Sequence, residues 1–212
     1  MTRNYLGAIF TPAIRAAHLH YYGKPRNEQD DGRRDSLTSA EIEFIAARDS
    51  FYMATVTETG WPYLQHRGGP PGFLRVLDGQ TLAFADYKGN RQLISTGNLA
   101  ANDRVSLFLM DYPQRERLKI LGHARVEDAR THPEQSALLA TSHDRHLVER
   151  IFFIAVQSFD WNCSQHITPR YTSPQLDTLL TSLKTRAAEY EPALTDRPSP
   201  EADNDPISSA PA

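Results

Sequence analysis

Arg117-Leu118-Lys119-Ile120-Leu121-Gly122-His123-Ala124-Arg125-Val126 decides the fold class. Leu118, Ile120, Gly122, Ala124 and Val126 fall on one face; Arg117, Lys119, Leu121, His123 and Arg125 fall on the other. A period of two belongs to a strand with one face buried and one facing water. The segments around it have the same character. Phe51 to Thr57 is rich in aromatic and β-branched residues, Glu58-Thr59-Gly60 reads as a turn, and Trp61 to Arg67 as the returning strand. Gly68-Gly69-Pro70-Pro71-Gly72 breaks the chain before a strand through Leu77. Asp78-Gly79 is a hairpin signal leading into Thr81 to Ala85. Val105 to Met110 and Ile151 to Asp160 complete six or seven strands, most joined by hairpins.

Helical signals lie between and after these strands. Pro12 to His20 reads as a short helix. Thr38 and Glu41 form a capping box that opens a helix to about Asp49, with Ile42, Phe44 and Ile45 on its apolar face. Asn90 reads as the cap of a helix to about Ala101, with Leu93, Ile94, Gly97 and Ala101 on one side. Pro133 to His143 reads as helical, and Leu176, Leu179, Leu180, Leu183 and Ala187 recur at helical spacing after Pro174. The expected architecture is mainly β: a split β-barrel with peripheral helices, an N-terminal extension and a C-terminal amphipathic helix. The expected organisation is an arm over 1–36, a barrel domain over 37–190 and a disordered, Pro-, Ser- and Asp-rich tail over 191–212.

Composition narrows the function classes. A net charge of -3 provides no global basic field for nucleic acid. Cys163 is the single cysteine, so an internal disulfide and a cysteine zinc cluster are both excluded. His143 and His146 lack the further ligands of a recognisable zinc set, so no metal is expected. No apolar run has membrane-spanning length, and Met1 to Phe10 lacks the apolar stretch of a signal peptide. A cytoplasmic protein is the expectation.

Four stretches could carry chemistry. In Asp86-Tyr87-Lys88-Gly89-Asn90-Arg91-Gln92, two cations and a capping asparagine meet the N–H groups of a helix start, which suits a phosphate. A capped helix with two solvated cations is the commoner origin of such spacing. Gln65-His66-Arg67 ends a strand before a glycine-rich loop, with Gln65 and Arg67 on one face and His66 on the other. Arg117, Lys119, His123 and Arg125 form a basic strand face, which is usually just solvated. Trp161 provides a flat ring and His166 a titratable donor in Trp161-Asn162-Cys163-Ser164-Gln165-His166; structural packing explains both equally well.

Taken together, these segments resemble the pyridoxamine 5'-phosphate oxidase-like FMN-binding split-barrel proteins from about Leu37 to Arg170. The resemblance is carried by Phe51 to Val56 leading into Gly60-Trp61-Pro62, by Gln65 to Pro70, by Phe84 to Gln92, by Gly97-Asn98-Leu99, by Ile120 to Ala124 and by Trp161 to Ile167. It implies a homodimer with two FMN sites at the subunit interface. By position it implies flavin contacts from Gln65, His66 and Arg67, with Phe84 and Ala85 beside the ring. Asn90 and Arg91 correspond to the pair on the phosphate, with Lys88 close by. Arg117 corresponds to a side chain reaching the flavin from the partner subunit, and Trp161 and Arg170 to C-terminal cofactor contacts. The oxidase's Ser-Arg-Lys helix start is here Gly89-Asn90-Arg91, and its substrate-binding Arg and His signature is not reproduced, so pyridoxamine phosphate oxidation is not implied.

Three functions remain open on the sequence. The first is an FMN-dependent oxidoreductase acting on a small molecule, with a nicotinamide or other donor and no assigned catalytic residue. The second is a non-catalytic sensor or store holding flavin, deazaflavin or haem. The third is an interaction domain that has lost its cofactor.

Overall fold

The computed structural model describes residues 3–24, 32–89, 91–141, 143–161 and 164–195. The chain forms two compact units, residues 1–169 and 170–212. The first opens with helices α1 (Arg3–Ile9), α2 (Pro12–Tyr22) and α3 (Ser39–Ala46). Strands β1 (Ser50–Val56), β2 (Pro62–Gly68), β3 (Arg75–Asp78) and β4 (Thr81–Tyr87) follow, then α4 (Ile94–Ala101). Strands β5 (Arg104–Asp111) and β6 (Glu116–Asp128), helix α5 (Pro133–Leu139) and strand β7 (Val148–Trp161) complete it. The second unit holds α6 (Ser173–Thr195).

The seven strands form one antiparallel sheet in the order β2-β1-β5-β6-β7-β4-β3. Among the described residues no ladder joins the edge strands β2 and β3, so this is the expected mainly-β split barrel with its sheet left open. The alternation in β6 is as the sequence predicts: Leu118, Ile120, Gly122 and Ala124 are buried, and the residues between them are not. They meet Phe51 and Met53 of β1, Leu107 and Leu109 of β5, and Phe152 and Ile154 of β7 in one core. Gly122 sits at an irregularity in the β6–β7 pairing. A Cβ there would lie 2.7 Å from the Ala155 carbonyl oxygen and 2.9 Å from Ile154 Cγ2, so the strands approach too closely for a side chain.

Helix α3 carries the predicted capping box, with the Thr38 amide and hydroxyl both donating to Glu41 Oε2, at 2.9 and 2.5 Å. It ends at Ala46, short of Asp49, and its buried face is Glu41, Phe44 and Ile45 while Ile42 stays exposed. Residues at i, i+3 and i+4 share a helix face, and Glu41 can occupy it because its carboxylate is hydrogen-bonded. Within the N-terminal extension, α1 lies on β7 with Tyr5 and Leu6 buried, whereas α2 buries none of its residues.

Helix α4 departs from the sequence reading. It begins at Ile94, with Leu93 at the N-cap position in a left-handed conformation (φ 55°), so Asn90 is not its cap; Asn90 itself lies outside the described residues. Its buried face is Ser95, Asn98 and Leu99, in place of the expected Leu93, Ile94, Gly97 and Ala101. Tertiary partners set this orientation: Asn98 Nδ2 donates to Thr55 Oγ1 at 2.9 Å, and Ser95 Oγ to Gln65 Oε1 at 3.0 Å. Helix α5 stops at Leu139, because Ala140 is extended. Helix α6 continues through the expected start of the tail to Thr195, and residues 196–212 lie outside the described residues. No described helix is long and apolar enough to cross a membrane.

Candidate functional site

The register between β1 and β2 aims the first candidates. Arg67 lies opposite Phe51 and Gln65 opposite Met53, so both side chains share the inner face, while His66 lies opposite Tyr52 and points outward. The His66 ring meets Tyr52 edge-on at 5.6 Å. On the other side of the split, Phe84 of β4 pairs with Phe152 of β7, their rings stacked at 4.8 Å. The Arg67 guanidinium lies over both rings, 5.5 Å from Phe84 and 5.0 Å from Phe152. This attraction to the π faces partly offsets its loss of water.

Asp86 joins two arginines across the same place. Arg67 Nη1 donates to Asp86 Oδ1 at 2.6 Å, and Arg150 Nε to Asp86 Oδ2 at 2.8 Å. The three side chains are only 14%, 18% and 14% exposed for Arg67, Arg150 and Asp86. No backbone ladder connects β2 with β4, so at this level the seam is closed by side-chain charge. The Nε of Arg67 is buried and has no hydrogen-bond acceptor among the described residues, which is costly for a cationic group. A small polar pocket of about 20 Å³, room for roughly one water, lies between Gln65, Arg67, Ser95, Thr96 and Arg150 at the start of α4. A second cavity of about 220 Å³ is walled by His66, Arg67, Phe73, Phe84, Ala85 and Tyr87. A cleft of about 1020 Å³, with Thr96 and Arg150 in its wall too, runs past Lys88, Leu99 and Val126.

The structure therefore brings Gln65, Arg67, Phe84 and Ala85 together, with His66 on the rim of the second cavity. Lys88 and Arg91 are exposed, Lys88 on the larger cleft and Arg91 on the loop before α4. Arg117 and Trp161 lie elsewhere. Leu118, next to Arg117, pairs with Trp161, and Trp161 is about 35 Å along β7 from Arg150 at a strand rise of ~3.3 Å per residue. The Trp161 indole N–H donates to Glu41 Oε1 at 2.6 Å, and its ring meets Phe44 edge-on at 4.7 Å. Burial pushes the Glu41 carboxyl up, but the hydrogen bonds from Thr38 and Trp161 outweigh it and hold the group below its ordinary value. The Nε of Arg117 is also buried without an acceptor among the described residues. Arg170 belongs to the second unit.

Asp86 and Arg150 are the site residues that sequence reasoning did not select. Asp86 stood inside the quoted stretch after β4, and Arg150 is the charged residue that precedes the apolar run Ile151-Phe152-Phe153-Ile154. Their pairing depends on the β4–β7 register, which places one opposite the other. Two guanidiniums, the Thr96 hydroxyl and the N–H groups of the α4 start can bind an oxyanion, and the Phe73–Phe84–Ala85 cavity can take the edge of an aromatic ring. The orphaned Nε of Arg67 and the aromatic-walled cavity beside it fit an anionic group joined to a ring.

The family profile described as pyridoxamine 5'-phosphate oxidase matches residues 37–151, just over half of the chain. No curated protein matches. Among solved structures, HupZ of Group A Streptococcus is 14% identical over 64% of this chain and 100% of its own, with a TM-score of 0.46. A Clostridium acetobutylicum protein related to general stress protein 26 of B. subtilis (pyridoxinephosphate oxidase family) is 14% identical over 61% of this chain and 88% of its own, with a TM-score of 0.45. An F420 reductase is 17% identical over 56% of this chain and 95% of its own, with a TM-score of 0.39.

Proposed function

The chain belongs to the pyridoxamine 5'-phosphate oxidase family, and from that premise we propose that it is an FMN-binding oxidoreductase acting on a small molecule, with its flavin sites at a homodimer interface. The observation that carries this reading is the buried Arg67 guanidinium. It stacks over Phe84, lacks an acceptor at Nε, and stands beside a polar pocket at a helix start. A phosphorylated planar cofactor would satisfy these features together: ring against Phe84 and Ala85, negative charge toward Arg67, phosphate toward the start of α4. Lys88, Asn90 and Arg91 precede that helix start, and Lys88 and Arg91 would supply further charge to the phosphate.

The positions of the remaining residues support the homodimer reading. Arg117 of β6 lies beside the Trp161 end of β7, away from Arg150 along the strand, so the implied contacts are spread over two parts of the sheet. A two-fold pairing would bring them to one flavin by combining one group from each subunit. The outer sheet face supports such a pairing, because Tyr52 and Leu64 are 36% and 63% exposed. A second copy of this face would remove them from water.

When bound, the flavin supplies the hydride or electron chemistry. The chain's residues hold and orient it, and Arg67 contributes a fixed positive charge. A reduced nicotinamide is the donor to test first. The decisive measurement is the visible spectrum of the purified protein, with mass spectrometry of what heat releases. A flavin spectrum and an FMN mass are expected; a colourless protein that takes up no added FMN overturns the reading. Turnover with a reduced nicotinamide and an acceptor then separates catalysis from storage. Arg91→Ala is expected to weaken FMN binding by about 1.5–3 kcal/mol, the worth of a charge-assisted hydrogen bond, measured by fluorescence titration.

A further inference from the structure

We propose that Arg150 is a further phosphate-binding cation of this site and the residue that makes it prefer a phosphorylated flavin over the unphosphorylated one. The inference rests on the flavin reading of the same site. Arg150 comes from the start of β7, outside every stretch that the family resemblance singles out. Its guanidinium is held by Asp86, whose other oxygen takes Arg67, so one carboxylate fixes two cations at a set spacing. That geometry spares the ligand the entropy of ordering two long side chains on binding.

Donor capacity remains after these bonds. Arg150 donates Nε to Asp86 and its Nη2 forms an ion pair with Glu149 at 3.2 Å, and a guanidinium has five N–H donors. Glu149 is 39% exposed, so solvent screens its charge more than that of the buried carboxylate. Arg150 faces the same polar pocket as Arg67, Ser95 and Thr96. The space left there, about 20 Å³, suits one phosphate oxygen in the place of a water. A simple clasp would explain the ion pairs without any ligand. It leaves the Arg67 Nε without an acceptor beside the same small pocket.

The test titrates the full-length protein with FMN and with riboflavin, following flavin fluorescence, for wild type, Arg150→Ala, Arg150→Lys and the exposed-charge control Arg130→Ala. Arg150→Ala is expected to lower FMN affinity roughly 10- to 100-fold, as loss of a charge-assisted contact does, while riboflavin affinity changes by less than about 2-fold. Arg150→Lys should recover part of the FMN affinity, because the charge returns without the bidentate fork. Arg130→Ala should leave both flavins within about 2-fold of wild type. Unchanged FMN affinity in Arg150→Ala overturns the proposal. Equal loss of FMN and riboflavin overturns it too, since it would make Arg150 only a clasp of the seam. A wild-type protein that binds neither flavin overturns the flavin reading itself, before any variant is compared.

Discussion

Glu41 is a carboxylate at 5% exposure on the inner face of α3, kept ionised by the Thr38 amide and hydroxyl and the Trp161 indole. Burial raises its pKa and the hydrogen bonds lower it further than burial raises it, so the folded value lies below the ordinary 4.5. A carboxyl group with a depressed folded pKa stabilises the protein fully above its unfolded pKa, and the contribution fades as pH falls through the folded value. Glu41→Gln should therefore destabilise the protein by about 1–3 kcal/mol at neutral pH, through weakened and unmatched hydrogen bonds. Urea unfolding across a pH series should show the gap to wild type narrowing below 4.5. A gap that stays constant with pH would mean that the carboxylate charge is not what holds Trp161. The same residue takes the one donor of Trp161, whose ring packs on Phe44.

At the scale of the element, β6 combines a clear sequence period with a constraint the period does not reveal. Its alternation places Leu118, Ile120 and Ala124 in the core, and Gly122 continues the pattern where β7 comes closest. Gly122→Ala would force its Cβ against the Ala155 carbonyl, a backbone atom that cannot rotate away. The expected cost is about 1–3 kcal/mol, the range for overpacking a tight site, read as a lowered thermal midpoint. At α3, Thr38→Ala removes one half of the capping box and should cost about 1 kcal/mol in the same assay. Helix α4 behaves differently. Its buried polar residues are satisfied by strands β1 and β2, so its orientation follows the sheet.

At the scale of the whole molecule, the open sheet leaves two consequences. The seam between β2 and β4 is held by Arg67, Asp86 and Arg150, and the outer face of β1 and β2 presents Tyr52 and Leu64 to solvent. If two copies pair through that face, Leu64→Lys should shift sedimentation from dimer to monomer and weaken FMN binding in parallel, because burying an unpaired ammonium is costly. A variant that stays dimeric with full FMN affinity would place the interface elsewhere. The exposed Leu64 is not part of the core, so this substitution should leave the thermal midpoint of the monomeric barrel nearly unchanged.

The sequence by itself determined the strands, the capping box, the mainly-β class and the shared face of Gln65 and Arg67. Each depends on a local rule: a side-chain period of two, or a hydrogen bond three residues long. It also determined the family, through motifs spread from about Leu37 to Arg170, a span of which the family profile matches 37–151. Only the tertiary structure decided that α4 starts at Ile94 and buries Ser95 and Asn98, since their partners Gln65 and Thr55 lie 30 and 43 residues away. Only it brought Arg150 to Asp86, across 64 residues, and set Trp161 against Glu41, across 120. Those contacts depend on strand register and on the curl of the sheet, which no short window of sequence contains.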